Sequence, residues 1–356
     1  MPPTLGQAKV HKVSGIRAPA SLQYNNLSYV EKYEAAVYAS RTECVVAWLN
    51  KSKTTLLPLE YDAREPILQC SAIAAPPDLL HCNPPLLILL TMRTCTQLWT
   101  TVSPLGSIVH READGRGCCG VLSVGTSKTV DAVVGTSNGS LLFAQYVLEV
   151  SSPSKPAEGL GMGSNAVEPF RVIHSMNGHK GQPITAVQML SSVQPALRAA
   201  SGDVSGKLVL WNREYKPYLS ISTSECVTGI QIVSDGAFVA VANGAGKLML
   251  VDTHTGETRI SVCAHSRWIN ALSFNSTVNA LISVSEDGYV SLWSTPGKEG
   301  GAGNGSMTSA EFNSIATHHL GNVLPTGAAL SADGKRVFIT AYDTNGVIEY
   351  NVEEHK

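Results

Sequence analysis

Apolar and polar residues along this chain fall into short runs of strand length, and long stretches of helical period are scarce. The clearest unit runs from Cys263 to Trp293. A His-containing turn, Cys263-Ala264-His265-Ser266-Arg267-Trp268, leads into the apolar run Ile269-Asn270-Ala271-Leu272. After a turn comes a second run, Leu281-Ile282-Ser283-Val284-Ser285, which ends in small polar residues. Asp287-Gly288 marks a tight hairpin turn, and Tyr289-Val290-Ser291-Leu292-Trp293 alternates and closes on an aromatic ring. The pattern predicts a sheet of hairpin-connected strands.

The unit recurs. Gly178-His179 opens a similar stretch through Ile184-Thr185-Ala186-Val187 and Ala200-Ser201-Gly202-Asp203 to Gly206-Lys207-Leu208-Val209-Leu210-Trp211. A plainer copy between them has Val227 to Ile232, Phe238 to Val241 and Gly246 to Asp252. The closing positions Trp211, Val251 and Trp293 are 40 and 42 residues apart. A four-stranded unit with a period of about 40–45 residues resembles the blade of a WD-repeat β-propeller. Weaker copies lie at Val133–Ala144, at Leu86–Leu90 with Gln97–Trp99, at Ala35–Tyr38 with Cys44–Trp48, and at Arg336–Thr340 with Gly346–Tyr350. Seven units result, and the expected fold is an all-β, seven-bladed WD-repeat propeller spanning residues 1–356 as a single domain. The sequence ends six residues after Tyr350, which leaves no room for an outer strand in the last blade. Lys9 to Ile16 is expected to supply it, closing the ring without an unpaired edge.

Composition changes this picture little. Hydrophobic residues make up 44% of the chain, enough for a core, and the formal net charge is −2. Nothing there drives binding to nucleic acid or anionic membranes. The N-terminus lacks the apolar segment of a signal peptide, and no run reaches the ~18 residues of a membrane span. The 8 cysteines are scattered, and Cys44, Cys70, Cys82, Cys95 and Cys263 sit mostly beside apolar strand residues, as reduced thiols do. A cytoplasmic setting is expected. Two inserts, 151–168 and 297–309, are rich in Ser, Pro and Gly; they are expected to be mobile loops between third and fourth strands, on one face of the disc.

Several residues imitate catalytic chemistry. Ser283, His265 and Asp287 have the composition of a nucleophilic triad. The resemblance to WD-repeat proteins implies a structural role instead: Ser283, His265, Asp287 and Trp293 fill the places of a hydrogen-bonded tetrad of buried polar groups. In the earlier unit His179, Ser201 and Trp211 match, while Ser205 stands at the Asp place, so that blade is expected to be less tightly tied. Gly202–Leu208 and Gly244–Lys247 are hairpin turns, since neither has phosphate-loop spacing followed by a helix. His81-Cys82, Cys95 and Cys118-Cys119 lack paired zinc spacing, the side chains of His318 and His319 should diverge, and Cys118 and Cys119 read as ordinary buried or turn thiols. No cofactor and no metal are expected.

A closer resemblance is carried by Asn25-Asn26-Leu27-Ser28, Pro85 to Thr91, Val134-Gly135-Thr136-Ser137, Gly178-His179 with Pro183-Ile184-Thr185, Asn243 to Gly246, Ala264-His265 and Ser285-Glu286-Asp287. In colinear order these are similar to segments of the family of WD repeat-containing protein 54, with divergence greatest in the first two blades and both inserts. The resemblance implies a non-enzymatic scaffold that assembles cytoplasmic or ciliary protein complexes, with other proteins as partners. In a propeller, Lys180, Gln182, Arg267 and Trp268 fall in loops at one mouth of the channel, where Arg and Trp are the residue types that most often anchor interfaces; the alternative for Trp268 is a structural wedge between neighbouring blades. Two alternatives come from other classes. An enzyme using the channel mouth needs convergent acidic or metal-binding side chains, and no such cluster is apparent. A ubiquitin-ligase substrate receptor needs an acidic residue after the closing Trp and a basic one three positions on, but Asn212 follows Trp211 and Ser294 follows Trp293.

Overall fold

The computed structural model describes residues 3–59, 65–76, 86–125, 129–147, 169–190, 196–296 and 312–353. Among these residues the regular structure is strand throughout, apart from single 3-10 turns at Glu31–Tyr33, Glu112–Asp114 and Ser234–Gly236. The strands form seven antiparallel sheets, and six of these take four successive strands each. Blade 4 shows the plan: Ile184–Met189, Leu197–Asp203, Lys207–Asn212 and Pro217–Ser222 pair in that order. The first strand of each blade faces the axis, where a cavity of about 380 Å³ is lined by Ser28, Gln69, Gly120, Gln188, Gln231 and Ala328 among others.

Blade 7 contains Pro325–Leu330, Arg336–Ala341 and Gly346–Glu353, and its fourth place is filled from the other end of the chain. Lys9–Lys12 pairs with Gly346–Glu353 in the register Lys9 with Glu349 and His11 with Val347. Thr4–Leu5 adds a short second pairing, opposite Glu353 and Val352. The closing strand is shorter than the run Lys9–Ile16 suggested. Val13 turns inward instead, into the apolar cluster between blades 7 and 1, and Gly15 adopts a φ of +81° that carries the chain away from the sheet. His11 and Lys9 both face the largely buried Glu349 carboxylate.

The burial pattern explains why the sequence alternates so little. Ala35–Ser40, Leu86–Thr91, Phe238–Asn243 and Ala280–Ser285 are buried at every position. A second strand has a neighbouring blade against each of its faces, so continuous apolar runs are favoured. Outermost strands such as Pro217–Ser222 and Thr258–Cys263 lie largely in solvent. Seven apolar clusters result, each filling the wedge between two adjacent blades.

Around the axis the inner strands are laced by side-chain hydrogen bonds. Ser28 Oγ accepts from Ala72 N at 2.9 Å, Gln69 Oε1 accepts from Gly120 N at 2.9 Å, and Cys119 Sγ lies 3.7 Å from the Ile184 carbonyl. Thr185 donates to the Val227 carbonyl, Gln231 Nε2 to Leu272 O at 2.8 Å, and Asn270 Nδ2 to Pro325 O at 2.9 Å. Asn26 completes the circuit from blade 7 to blade 1: its amide donates to Thr326 O at 2.9 Å, and its Oδ1 accepts from Ala39 N at 2.8 Å. Each inter-blade seam thus combines an apolar wedge with paired buried polar groups.

The expected inserts 151–168 and 297–309 lie outside the described residues. Their flanking strands, Ser140–Val147 with Phe170–Asn177 and Tyr289–Ser294 with Ser314–His319, are the third and fourth strands of blades 3 and 6.

Candidate interaction face

One face of the disc collects the connections that enter each innermost strand, together with the turns between second and third strands. Two of these connections carry buried histidines. In blade 6, Trp293 Nε1 donates to Ser283 Oγ at 2.9 Å, Ser283 Oγ lies 2.8 Å from His265 Nε2, and His265 Nδ1 lies 3.2 Å from the Asp287 carboxylate. In blade 4, Trp211 Nε1 donates to Ser201 Oγ at 2.8 Å, and Ser201 Oγ lies 2.7 Å from His179 Nε2. Donors and acceptors agree if each imidazole is neutral, receiving the serine proton at Nε2 and donating from Nδ1. Burial lowers both histidine pKa values against the opposing pull of the carboxylates. Both serines are fully buried, so neither can meet a substrate.

The acid of blade 4 is not at Ser205. Asp203, two residues earlier, places Oδ2 2.6 Å from His179 Nδ1, and its Oδ1 accepts from Ser205 N, Ser205 Oγ and Lys207 N at 2.8, 2.6 and 3.0 Å. Ser205 is a hydrogen-bond donor to that acid and does not replace it. Nor is blade 4 the looser of the two: the His179 and Asp203 side chains are both wholly buried, whereas Asp287 keeps some exposure. Burial alone would raise the Asp203 pKa, but the bonds from Ser205, Lys207 and His179 outweigh it and hold the carboxyl below its ordinary value. A usable signal was present. Asp203-Val204-Ser205-Gly206-Lys207 matches Asn243-Gly244-Ala245-Gly246-Lys247 of blade 5, and Asn243 Oδ1 likewise accepts from the amides of Ala245 and Lys247, both at 3.0 Å. Aligning on the Gly-Lys turn, not counting from the serine, identifies the acid. The same bonds occupy turn amides that a phosphate would need.

Lys180 and Gln182 are exposed in the connection between blades 3 and 4, and Arg267 is exposed in that between blades 5 and 6. The connection around Glu225 separates the two. Trp268 is 39% exposed. Its ring lies flat over the blade 5 turn, so close that a Cβ on Gly244 would stand 3.2 Å from the indole. It stacks on Tyr24, with ring centroids 6.2 Å apart and planes 11° apart.

Tyr24 belongs to a segment to which the sequence reading gave no role. The chain leaving the closing strand crosses this mouth before entering blade 1, and Asn25 anchors it in a left-handed conformation (φ +52°), which asparagine tolerates better than most residues. Asn25 N donates to Asn270 O at 2.9 Å, its Nδ2 to Thr228 O at 3.1 Å, and its Oδ1 accepts from Leu272 N at 2.9 Å. The doublet Asn25-Asn26 therefore ties blades 5, 6, 7 and 1 together and fixes Tyr24 over Trp268.

Other candidates find local explanations. His319 rests on Tyr289 and His318 on Tyr350, so the neighbouring rings point apart. Burial pushes the Cys118 thiol up to about 11 and holds the Cys119 thiol well above its ordinary value. His81 and Cys82 lie outside the described residues. Among the described residues no group of three or more His, Cys, Asp or Glu is placed to hold a metal ion. Glu31, the one carboxylate among the described residues lining the channel cavity, accepts from the Ala332 amide at 2.9 Å.

The family model of WDR54 matches residues 174–348, from the outer strand of blade 3 through blade 7. The rat protein "WD repeat domain 54" is 31% identical over 121 residues, and the mouse "WD repeat-containing protein 54" is 30% identical over 121. Each alignment covers 33% of this chain and 35% of the relative. A chain of the crystal structure of the mitotic checkpoint complex superposes over 99% of this chain and 96% of its own length, with a TM-score of 0.69 at 13% identity, which establishes likeness of fold. The chain is a seven-bladed WD-repeat β-propeller, and the family it resembles is that of WDR54.

Proposed function

We propose that this propeller is a protein-interaction scaffold that assembles complexes in the cytoplasm, the cilium included, and that it engages partners through the mouth bearing Lys180, Gln182, Arg267 and Trp268. The observation that carries the reading is Trp268: a large ring left 39% exposed on a face that also exposes Val204 and Tyr342 in its turns. Its indole N–H has no hydrogen-bond partner among the described residues. Its backbone is fixed, since Glu286 N donates to Trp268 O at 3.0 Å, and its ring is held by Gly244 and Tyr24. An aromatic residue already ordered loses little entropy on binding, which is the property of an interface anchor. Non-enzymatic function is general among WD-repeat propellers, and the cellular setting follows the resemblance to a family associated with cytoplasmic assembly.

The test is affinity purification of the tagged protein, with imaging of its location, repeated with Arg267→Ala/Trp268→Ala. The reading expects specific protein partners and a loss of about 2 kcal/mol or more of binding in the double variant. Turnover of a substrate by the purified chain, or capture unaffected by the two substitutions, would count against it.

A further inference from the structure

We propose that the Tyr24–Trp268 pair, with Glu286 beside it, is the seat for a cationic side chain, an arginine or lysine presented by a protein partner. The inference rests on the interaction-face reading and names the chemistry that face recognises. Two aromatic rings, nearly parallel and offset, stand partly exposed, Tyr24 half-buried and Trp268 39% exposed. The faces of such rings attract guanidinium and ammonium groups more than they attract neutral polar groups. Of the exposed charges beside the pair, Glu286 has the complementary sign, and Arg267, next to Trp268 in the chain, has the ligand's own sign. Glu286 is exposed and joined to Trp268 by the 3.0 Å backbone hydrogen bond, and its carboxylate makes no ion pair with any described residue. Glu225, at the turn before Cys226, is likewise exposed and free of ion pairs among the described residues. The neighbouring carboxylate Asp287 is already engaged, by His265 and by the Ser266 amide at 2.9 Å.

Electrostatics agree with the geometry. The Tyr24 hydroxyl is pushed up to about 12, chiefly by burial and in part by the Glu286 carboxylate, so the site resists adding negative charge. An incoming cation would relieve that field. The seat is also preformed. Asn25 fixes Tyr24 through hydrogen bonds to blades 5 and 6, and Gly244 permits the indole to lie on the turn, where a Cβ would stand 3.2 Å from the ring and push it back by a few tenths of an ångström. Little is left to organise when a ligand arrives.

Trp268 is the exposed one of the 5 tryptophans, since Trp48, Trp99, Trp211 and Trp293 are buried. Its indole 15N–1H resonance therefore reports on this seat, and Trp268→Phe assigns it. The experiment titrates the labelled full chain with acetyl-Gly-Arg-Gly-amide, with the lysine equivalent, and with the citrulline equivalent, which keeps the shape of arginine without its charge. Saturable shifts of the Trp268 resonance are expected with arginine and lysine, about fivefold weaker binding with citrulline, and about threefold weaker arginine binding in Glu286→Gln. The four buried indole signals should stay in place and show that the variant is folded. Equal binding of the citrulline peptide, no saturable shift with the cationic peptides, or an unchanged affinity in Glu286→Gln would overturn the proposal. Partner capture separates this failure from failure of the platform itself. Loss in Arg267→Ala/Trp268→Ala with full retention in Glu286→Gln leaves the interaction face standing and removes the cation seat.

Discussion

At the scale of single residues, the two tetrads show how serine, histidine and aspartate in sequence can be structural chemistry. Asp203 satisfies three donors besides His179 and is wholly buried, while Asp287 retains some exposure. Replacing either by Ala orphans buried donors, at a cost of about 1–3 kcal/mol each. Asp203→Ala should sit at the upper end and Asp287→Ala at the lower, read as the fall in melting temperature. An unchanged melt for Asp203→Ala would mean that the blade 4 tetrad does not contribute to stability. The histidines add a pH dependence of definite sign. His179 and His265 have folded pKa values below their ordinary 6.5, chiefly through burial, so below that pH the unfolded chain takes up protons that the folded chain refuses. Stability is full above about pH 6.5 and should fall as pH drops through and below it. The lowered carboxyls Asp203 and Asp287 extend the loss further into acid. Calorimetric melts from pH 8 to 5 should show the decline, and it should be smaller in His179→Asn. Serine, histidine and tryptophan of each tetrad were legible through the resemblance to WD-repeat proteins. The acid of blade 4 is missed by counting from the serine and found by aligning on the Gly-Lys turn, because a carboxylate at the end of the second strand reaches the same imidazole as one in the turn.

Elements whose burial is two-sided announce themselves as apolar runs, and those strands stand where the sequence put them. The closing strand was legible too, but only as a run; its end at Lys12 depends on Val13 finding a place among Ala20, Tyr38, Ala329 and Phe338, a tertiary fact. Less legible still was the crossing segment from Arg17 to Leu27, which has no period to read. Its place is set by asparagine hydrogen bonds to strands more than two hundred residues away. Removing residues 1–17 takes away both pairings with Gly346–Glu353 and leaves that strand as an open edge. The truncated protein should melt lower and aggregate, as seen by light scattering. If it stays monomeric with the melt of the full chain, closure by the N-terminal strand does not hold the ring.

As a whole molecule, the ring is stabilised by seven equivalent apolar wedges and an inner circuit of hydrogen bonds, which makes its rim a rigid base for short loops. Period and strand order gave this architecture in advance. The partner surface was legible only in part: Arg267 and Trp268 could be placed at the mouth from their position after His265, but the Tyr24 stack needed the chain's first segment folded across the opening. The central claim is that a rigid propeller captures proteins through that mouth. The most direct test compares wild type, Arg267→Ala/Trp268→Ala, and Val278→Ala by quantitative affinity purification, each with its melting curve. Val278 is the control, an apolar residue 39% exposed in the turn between the first two strands of blade 6, on the opposite face. The account predicts partners lost by about 2 kcal/mol of binding or more in the double variant at an unchanged melting temperature, and retained by Val278→Ala. Partners retained by the double variant, or lost only through Val278→Ala, would contradict it.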